Sequence, residues 1–469
     1  MNLKEEALID MEETSAKKIE AIFKSQKEFY GSHRTREISF RLDQLKKLKE
    51  AILKYEDRIY DALWKDLNKS KEESFLTEVS IVLQELDFHL KNLKKWAKAK
   101  KVSTPLHLLP SGSKVIYEPL GIGLIISPWN YPFQLCINPL IGAISSGCCA
   151  VLKPSPDSPN TSKIMEEMIN EFFPSEYISL VQGGKETNQN LFNYPFDVIF
   201  FTGSSRVGKI VMKAAAEHLS KVILELGGKS PCIVDEGANL DLAAKRIAWG
   251  KTINAGQTCI APDYLLVHKS VKDDFLKKMT ESFKELYGEK IDHSKHYARI
   301  INKNAFERLT GYLEGKDIYH GGESEEESLF LAPTILNNVE AEDEIMKEEI
   351  FGPILPVIEF DELSNAETFI NKREKPLALY YFGDKGKGEK VLRKTSSGGA
   401  CLNDTLVHIA NHKVPFGGVG NSGMGSYHGH RSFLAFSHEK AVVSSSNFID
   451  LPLKYPPYRF FGIIKKILK

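Results

Sequence analysis

Apolar positions change period along this chain, and the changes divide it. Up to about residue 100 they recur at three- and four-residue steps: Ile38, Leu42, Leu45, Leu48 and Ile52, then Leu86, Leu90, Leu93 and Trp96. That spacing predicts amphipathic helices. Pro105 and Pro110 interrupt the pattern, and 114–118 reads as a short strand. From Gly121 the texture turns to short continuous apolar runs at 122–126, 148–152, 178–181, 198–201 and 222–224, separated by helical stretches near 135–146, 162–173, 187–193 and 207–218. Strands apolar on both faces, alternating with helices, predict a parallel sheet covered on both sides. After Gly227 the alternation restarts, with helices at 241–254 and 271–287 and strands at 264–267, 333–336 and 354–358. A second α/β domain is expected there, and 321–327 reads as an acidic surface turn. Ligands of such sheets bind beyond the carboxyl ends of the strands.

Composition narrows the function class. A chain of 469 residues exceeds the size of a single core, so two or three domains are expected. Lys plus Arg equals Asp plus Glu at 62 each, leaving no global basic field for nucleic acid. Six cysteines without C-x-x-C spacing suggest neither a disulfide framework nor a zinc set. A reducing, cytoplasmic setting and no metal are therefore expected. The first residues, Met1–Glu6, are too acidic for a transit peptide, and no run approaches the roughly 20 apolar residues of a membrane span.

Several loops carry candidate chemistry. Gly256-Gln257-Thr258-Cys259 lies between predicted elements, and Leu224-Glu225-Leu226-Gly227-Gly228-Lys229 ends a strand about thirty residues upstream. A thiol, a carboxylate base and glycine-lined backbone suit acyl chemistry through a thioester, although a free cysteine is commonly just a small buried hydrophobe. Asn130, in Ser127-Pro128-Trp129-Asn130, is either an oxyanion donor or the residue that closes an Asx turn. Gly203-Ser204-Ser205-Arg206-Val207-Gly208 offers N–H groups to a pyrophosphate or simply caps a helix. Lys153, before Pro154-Ser155, meets a ribose or phosphate, or water. Glu349 and Phe351, in Glu349-Ile350-Phe351-Gly352-Pro353, hold a ribose beside a flat ring, or end a helix. Asn403 and Phe416-Gly417-Gly418 are open to either reading, and His408 reads as structural.

The ordered set of these motifs resembles the aldehyde dehydrogenase superfamily over nearly the whole chain. Pro415–Gly429 and Ser437-His438-Glu439-Lys440 look like its class-3 and fatty-aldehyde branch. The resemblance implies an α/β fold with a Rossmann-like dinucleotide domain (1–108 and 122–226), a catalytic domain (227–410) and a small β arm exchanged between subunits (109–121 and 430–450). It implies Cys259 as nucleophile, Glu225 as the base that activates water, and Asn130 with the Cys259 N–H as oxyanion donors. NAD or NADP would lie against Trp129, Lys153, Gly203, Ser204, Gly208, Glu349 and Phe351. The implied substrate is a medium- or long-chain aliphatic, or aromatic, aldehyde, and the implied assembly a homodimer. A CoA-acylating or acyl-phosphate-reducing relative, or a non-catalytic protein on the same scaffold, is the alternative. Many relatives carry glutamate after Lys-Pro-Ser; here Pro156 stands in its place. Without that carboxylate, NADP is expected to be accepted as well as NAD, unless Asp157 restores the charge. The tail 451–469 sets Phe460, Phe461, Ile463, Ile464, Ile467 and Leu468 beside Arg459, Lys465, Lys466 and Lys469. Its end, 458–469, reads as an amphipathic segment for peripheral membrane contact.

Overall fold

A computed structural model describes residues 12–450 and 454–468. Two large sheets organise them. In the first, the strands lie in the order Gly423–Met424, Lys221–Glu225, Val198–Thr202, Ile122–Ile126, Cys149–Lys153 and Ile178–Leu180. All pairs are parallel except Gly423–Met424, which runs antiparallel along Lys221–Glu225. Ile122–Ile126, Cys149–Lys153 and Val198–Thr202 are buried throughout, as helices on both faces require. The chain steps outward from Ile122–Ile126 to Ile178–Leu180, then returns to Val198–Thr202 on the other side. The order therefore reverses between Ile122–Ile126 and Val198–Thr202, where diverging connections open a ligand crevice.

The second sheet runs Ile318–His320, Thr334–Leu336, Ile354–Phe360, Tyr264–His268, Pro231–Val234, Ala378–Phe382, Gly399–Leu402, and is parallel apart from its first strand. The acidic stretch expected as a plain turn is instead a small hairpin. Ser324–Glu325 pairs with Phe330–Leu331, whose buried side chains anchor it. A third, antiparallel sheet has Gly112–Pro119 between Lys100–Val102 and Ser437–Ser444.

The N-terminal helices follow the apolar stripe. Leu45, Leu48 and Ile52 of Ile38–Leu67, and Leu86 and Leu93 of Ser80–Trp96, are fully buried. Just before the second helix a π-helical turn, Phe75–Val79, widens the coil, an irregularity common at functional sites. Here it turns Glu78 inward. At the other end of the chain, Phe461–Leu468 is a helix against the turn Leu106–Leu108, with Phe460, Phe461, Ile463 and Leu468 exposed. Lys469 and the side chains of Ile464 and Ile467 lie outside the described residues. Among those residues, no helix is long and apolar enough to cross a membrane.

Candidate active site

Cys259 is held by a loop that has little freedom. After the helix Leu240–Thr252 the chain turns through Asn254, Ala255 and Gly256, all left-handed, with φ of 52°, 51° and 74°. Only glycine fits the third position, since a Cβ there would lie 2.4 Å from the Gly352 carbonyl oxygen. Gln257 is fully buried. Its Nε2 donates to the carbonyls of Asn254 and Arg299, both at 3.0 Å, and its Oε1 accepts from Ile301 N–H at 2.9 Å. Thr258 Oγ1 meets the Tyr131 hydroxyl at 2.7 Å. Cys259 is half-buried, and its thiol faces the N–H groups of Cys259 and Ile260. Burial pushes the thiol pKa up, and the carboxylates of Glu349 and Glu225 add to the shift.

Glu225 ends its strand with only 2% exposure, and neither carboxylate oxygen has a hydrogen-bond partner among the described residues. Burial alone holds its carboxyl well above the ordinary range. Leaving a buried carboxyl unpaired is costly, which makes Glu225 a candidate functional group. Glu225 and Cys259 open onto one cavity of about 530 Å³, shared with Thr202 and Tyr427, whose hydroxyls are also unpartnered.

Asn130 reaches across to the cysteine loop rather than closing a local turn. Its Nδ2 donates one N–H to the Gln257 carbonyl at 3.0 Å, and its own carbonyl accepts from Asn254 Nδ2 at 2.8 Å and Lys69 Nζ at 3.1 Å. The amide's second N–H has no hydrogen-bond partner among the described residues. Trp129 meets Phe351 edge to face, with ring centroids 5.4 Å apart. Glu349 packs on Gly227, where a Cβ would collide with its carboxylate; burial and then Asp263 push its carboxyl up to about 8.

The expected cofactor loops have mixed duties. Ser204 Oγ accepts from Val207 N–H at 3.4 Å and so caps the helix Ser205–His218. Gly208 lets Leu226 pack on that helix: a Cβ there would lie 2.8 Å from a Leu226 methyl. Gly203 N–H bonds the Glu225 carbonyl at 3.0 Å, tying the two strand ends together. Lys153 is only 2% exposed, its ammonium takes no hydrogen-bond partner among the described residues, and burial brings its pKa down to about 8. Pro156 and Asp157 are exposed beyond it.

The model of the aldehyde dehydrogenase family matches residues 2–442. The chain belongs to the aldehyde dehydrogenase family. It is 48% identical over 96% of its length to 99% of the 4,4′-diaponeurosporen-aldehyde dehydrogenase of Staphylococcus aureus. It is 42% identical over 94% of its length to 98% of the dimeric, NADP-preferring aldehyde dehydrogenase of Canis lupus familiaris. Among solved structures, AldH of Staphylococcus aureus in its substrate-bound state superposes with a TM-score of 0.95 at 48% identity, covering 96% of this chain and 99% of that one.

Within this aldehyde dehydrogenase, the sequence motifs named the candidate reacting groups but not their supports. Lys69 and Glu78 form a fully buried ion pair at 2.7 Å. Glu78 also accepts from the N–H groups of Phe133 and Gln134, at 2.9 and 3.2 Å, while Lys69 holds the Asn130 carbonyl. The pair fixes the loop that carries Trp129 and Asn130. Lys229 bridges Asp263 at 2.5 Å and the carbonyls of Ile345 and Glu348, and Asp263 accepts from Ile350 N–H at 2.9 Å. These contacts set the stretch bearing Glu349 and Phe351. No local signal marks Lys69 or Glu78, since charged residues in a helical pattern read as a solvated face. His408 is structural as expected: it stacks on Phe416, and its Nδ1 lies 3.3 Å from Cys401 Sγ. Asn403 is structural too, exchanging two hydrogen bonds with the Gly383 backbone.

Proposed function

We propose that this aldehyde dehydrogenase oxidises medium- or long-chain aliphatic, or aromatic, aldehydes to carboxylic acids with NAD or NADP, through a thioester on Cys259. The observation that carries this reading is the unpartnered Glu225 carboxyl facing the cavity of the Cys259 thiol. Cys259, as thiolate, adds to the aldehyde carbon, and the second N–H of Asn130 with the Cys259 N–H receives the oxyanion. The nicotinamide ring, when bound, supplies the hydride acceptor that makes oxidation possible. Glu225 then takes a proton from the water that hydrolyses the thioester. A thioester passed to another thiol needs no such base, so Glu225 speaks against a CoA-acylating enzyme.

The residues present suit a dinucleotide. Lys153 brings a buried, unpartnered ammonium to the adenosine end. The N-terminus of Ser205–His218 suits the pyrophosphate. Glu349 would take the nicotinamide ribose, with Phe351 and Trp129 beside the ring. The cavity supports an apolar substrate: Leu76, Ile81, Trp249, Leu286, Val407 and Ile409 line it. Its volume is ordinary for a small-molecule site. Burying a methylene contributes about 0.8 kcal/mol, so kcat/KM is expected to rise about threefold to fourfold per added carbon until the cavity is filled. A series of straight-chain aldehydes, with 4,4′-diaponeurosporen-aldehyde included, tests this. Acid formed without CoA, with rising kcat/KM, supports the proposal; a flat series, or a requirement for CoA, sinks it.

The same reading places the protein in the cytoplasm as a homodimer. The outer edge of Ser437–Ser444, unpaired among the described residues, supports an arm that completes its sheet on the partner subunit. We propose, as a second reading, peripheral membrane contact through 458–469. It is supported by the exposed Phe460, Phe461, Ile463 and Leu468 beside Lys465 and Lys466, next to exposed Leu106 and Leu109. Full-length protein should co-sediment with anionic liposomes, and protein ending at residue 457 should not. Equal behaviour of the two would count against the contact.

A further inference from the structure

The position of Pro156 raises a question that the N-terminal segment answers. Thr14 is stitched to the loop after Ile178–Leu180: its N–H and hydroxyl both donate to the Gln182 carbonyl, at 3.1 and 2.7 Å. This anchors the residue before it. The Glu13 carboxylate accepts from Gly184 N–H at 3.0 Å, and from Thr187 N–H and hydroxyl at 2.8 and 2.5 Å. The chain reaches this place over Gly183, whose φ is 130° and where a Cβ would lie 2.5 Å from a Glu13 oxygen. Lys153 ends the strand that runs parallel beside Ile178–Leu180, and Val181 N–H bonds the Leu152 carbonyl at 2.9 Å, so the loop that holds Glu13 lies at the same end of the sheet as Lys153. Glu13 and Asp157 are the carboxylates whose charges act on the buried Lys153 ammonium. Neither forms an ion pair with it. Asp157 is drawn toward Ser155, whose hydroxyl lies at 3.2 Å from its side chain. Glu13 and Lys153 therefore stand at one end of the sheet, one an acceptor and the other a donor.

We infer that Glu13 is a specificity-determining residue for the cofactor, supplying from the N-terminal segment the carboxylate that Pro156 lacks. The inference rests on the reading that Lys153 meets the adenosine ribose. A ribose with free 2′- and 3′-hydroxyls can donate to a carboxylate on one side while accepting from the ammonium on the other. A 2′-phosphate instead puts two like charges together, at a place where Glu13 is already bound to three donors and cannot swing away without breaking those bonds. NADP still binds through Lys153, so both cofactors are accepted and NAD is preferred about tenfold or more.

The test is calorimetric binding of NAD, NADP, AMP and adenosine 2′,5′-bisphosphate to the full-length protein and its variants. Glu13→Gln keeps an oxygen acceptor for the Gly184 and Thr187 donors but removes the charge. It should tighten NADP and the bisphosphate about tenfold and leave NAD and AMP within about threefold. Glu13→Ala should show the same selective gain even if the N-terminal segment loosens. Unchanged NADP-to-NAD ratios in both variants would overturn the inference. Lys153→Ala separates the two levels: if it weakens NADP and the bisphosphate while the Glu13 variants do nothing, the adenosine site stands and only the role of Glu13 fails. If Lys153→Ala leaves all four dissociation constants unchanged, the adenosine end lies elsewhere and the inference falls with it.

Discussion

Cys259→Ala is expected to lower aldehyde oxidation by more than about ten-thousand-fold, the scale on which losing a covalent nucleophile costs an enzyme. The fold and cofactor affinity should survive, because the loop is held by Gln257 and by the Thr258–Tyr131 hydrogen bond, not by the thiol. No other cysteine can substitute. Cys136, Cys148, Cys149 and Cys232 are fully buried, and Cys401 lies beside His408. The surviving chemistry of the native enzyme should also carry a pH signature. Burial, with Glu349 and Glu225 behind it, raises the Cys259 thiol pKa. The thiolate fraction is therefore small at neutral pH and grows as pH rises, so single-turnover acylation should accelerate into the alkaline range. Measuring cofactor reduction in the first turnover checks both points. Substantial turnover in folded Cys259→Ala protein would remove the thioester mechanism.

Glu225→Gln should separate the two halves of the reaction. The amide preserves the shape of the side chain but cannot take a proton. Steady-state turnover should fall about a hundredfold to ten-thousandfold, the usual contribution of a positioned general base. The first turnover should remain, giving a burst of about one reduced cofactor per site and an acyl adduct on Cys259 visible by mass spectrometry. Because burial lifts the Glu225 carboxyl well above its ordinary value, the base loses its proton at higher pH than a free carboxyl does. Deacylation should thus rise with pH through a range far above that of a free carboxylate, and the rise should disappear in the variant. A Glu225→Gln protein that turns over at the native rate, or one that shows neither burst nor adduct, would assign the base elsewhere.

Which parts of this were legible in the chain follows from the range of the forces involved. The strands of the first sheet announce themselves because a strand buried on both faces is apolar nearly throughout, as Ile122–Ile126 and Val198–Phe201 are. Cys259 and Asn130 stand out because each sits in a loop after an element, and Glu225 because it ends an apolar strand, where the sequence pattern breaks. The edge contact of Trp129 with Phe351 joins two aromatics that the sequence reading had assigned separately to the cofactor. The hairpin at 324–331 was not foreseen, since its acidic strand hides that Phe330 and Leu331 are buried. For Ser204 and Gly208 the structure shows capping and packing, duties that the sequence had offered alongside cofactor binding.

The sequence by itself therefore determined the α/β alternation, many of its elements and the candidate reacting groups, all written in local patterns of apolar spacing and loop chemistry. Tertiary structure alone decided which charges were to be buried and what they were to hold. Lys69 and Glu78 look solvated in one dimension, yet they form a dry ion pair because a π-helical turn rotates Glu78 into the core and the Trp129–Asn130 loop supplies its remaining donors. Glu13 lies in a polar stretch, yet three hydrogen bonds to residues 184 and 187 hold it at the sheet end where Lys153, 140 positions away, finishes its strand. Whether a charge faces water or another charge depends on partners distant along the chain, and no window of sequence contains them.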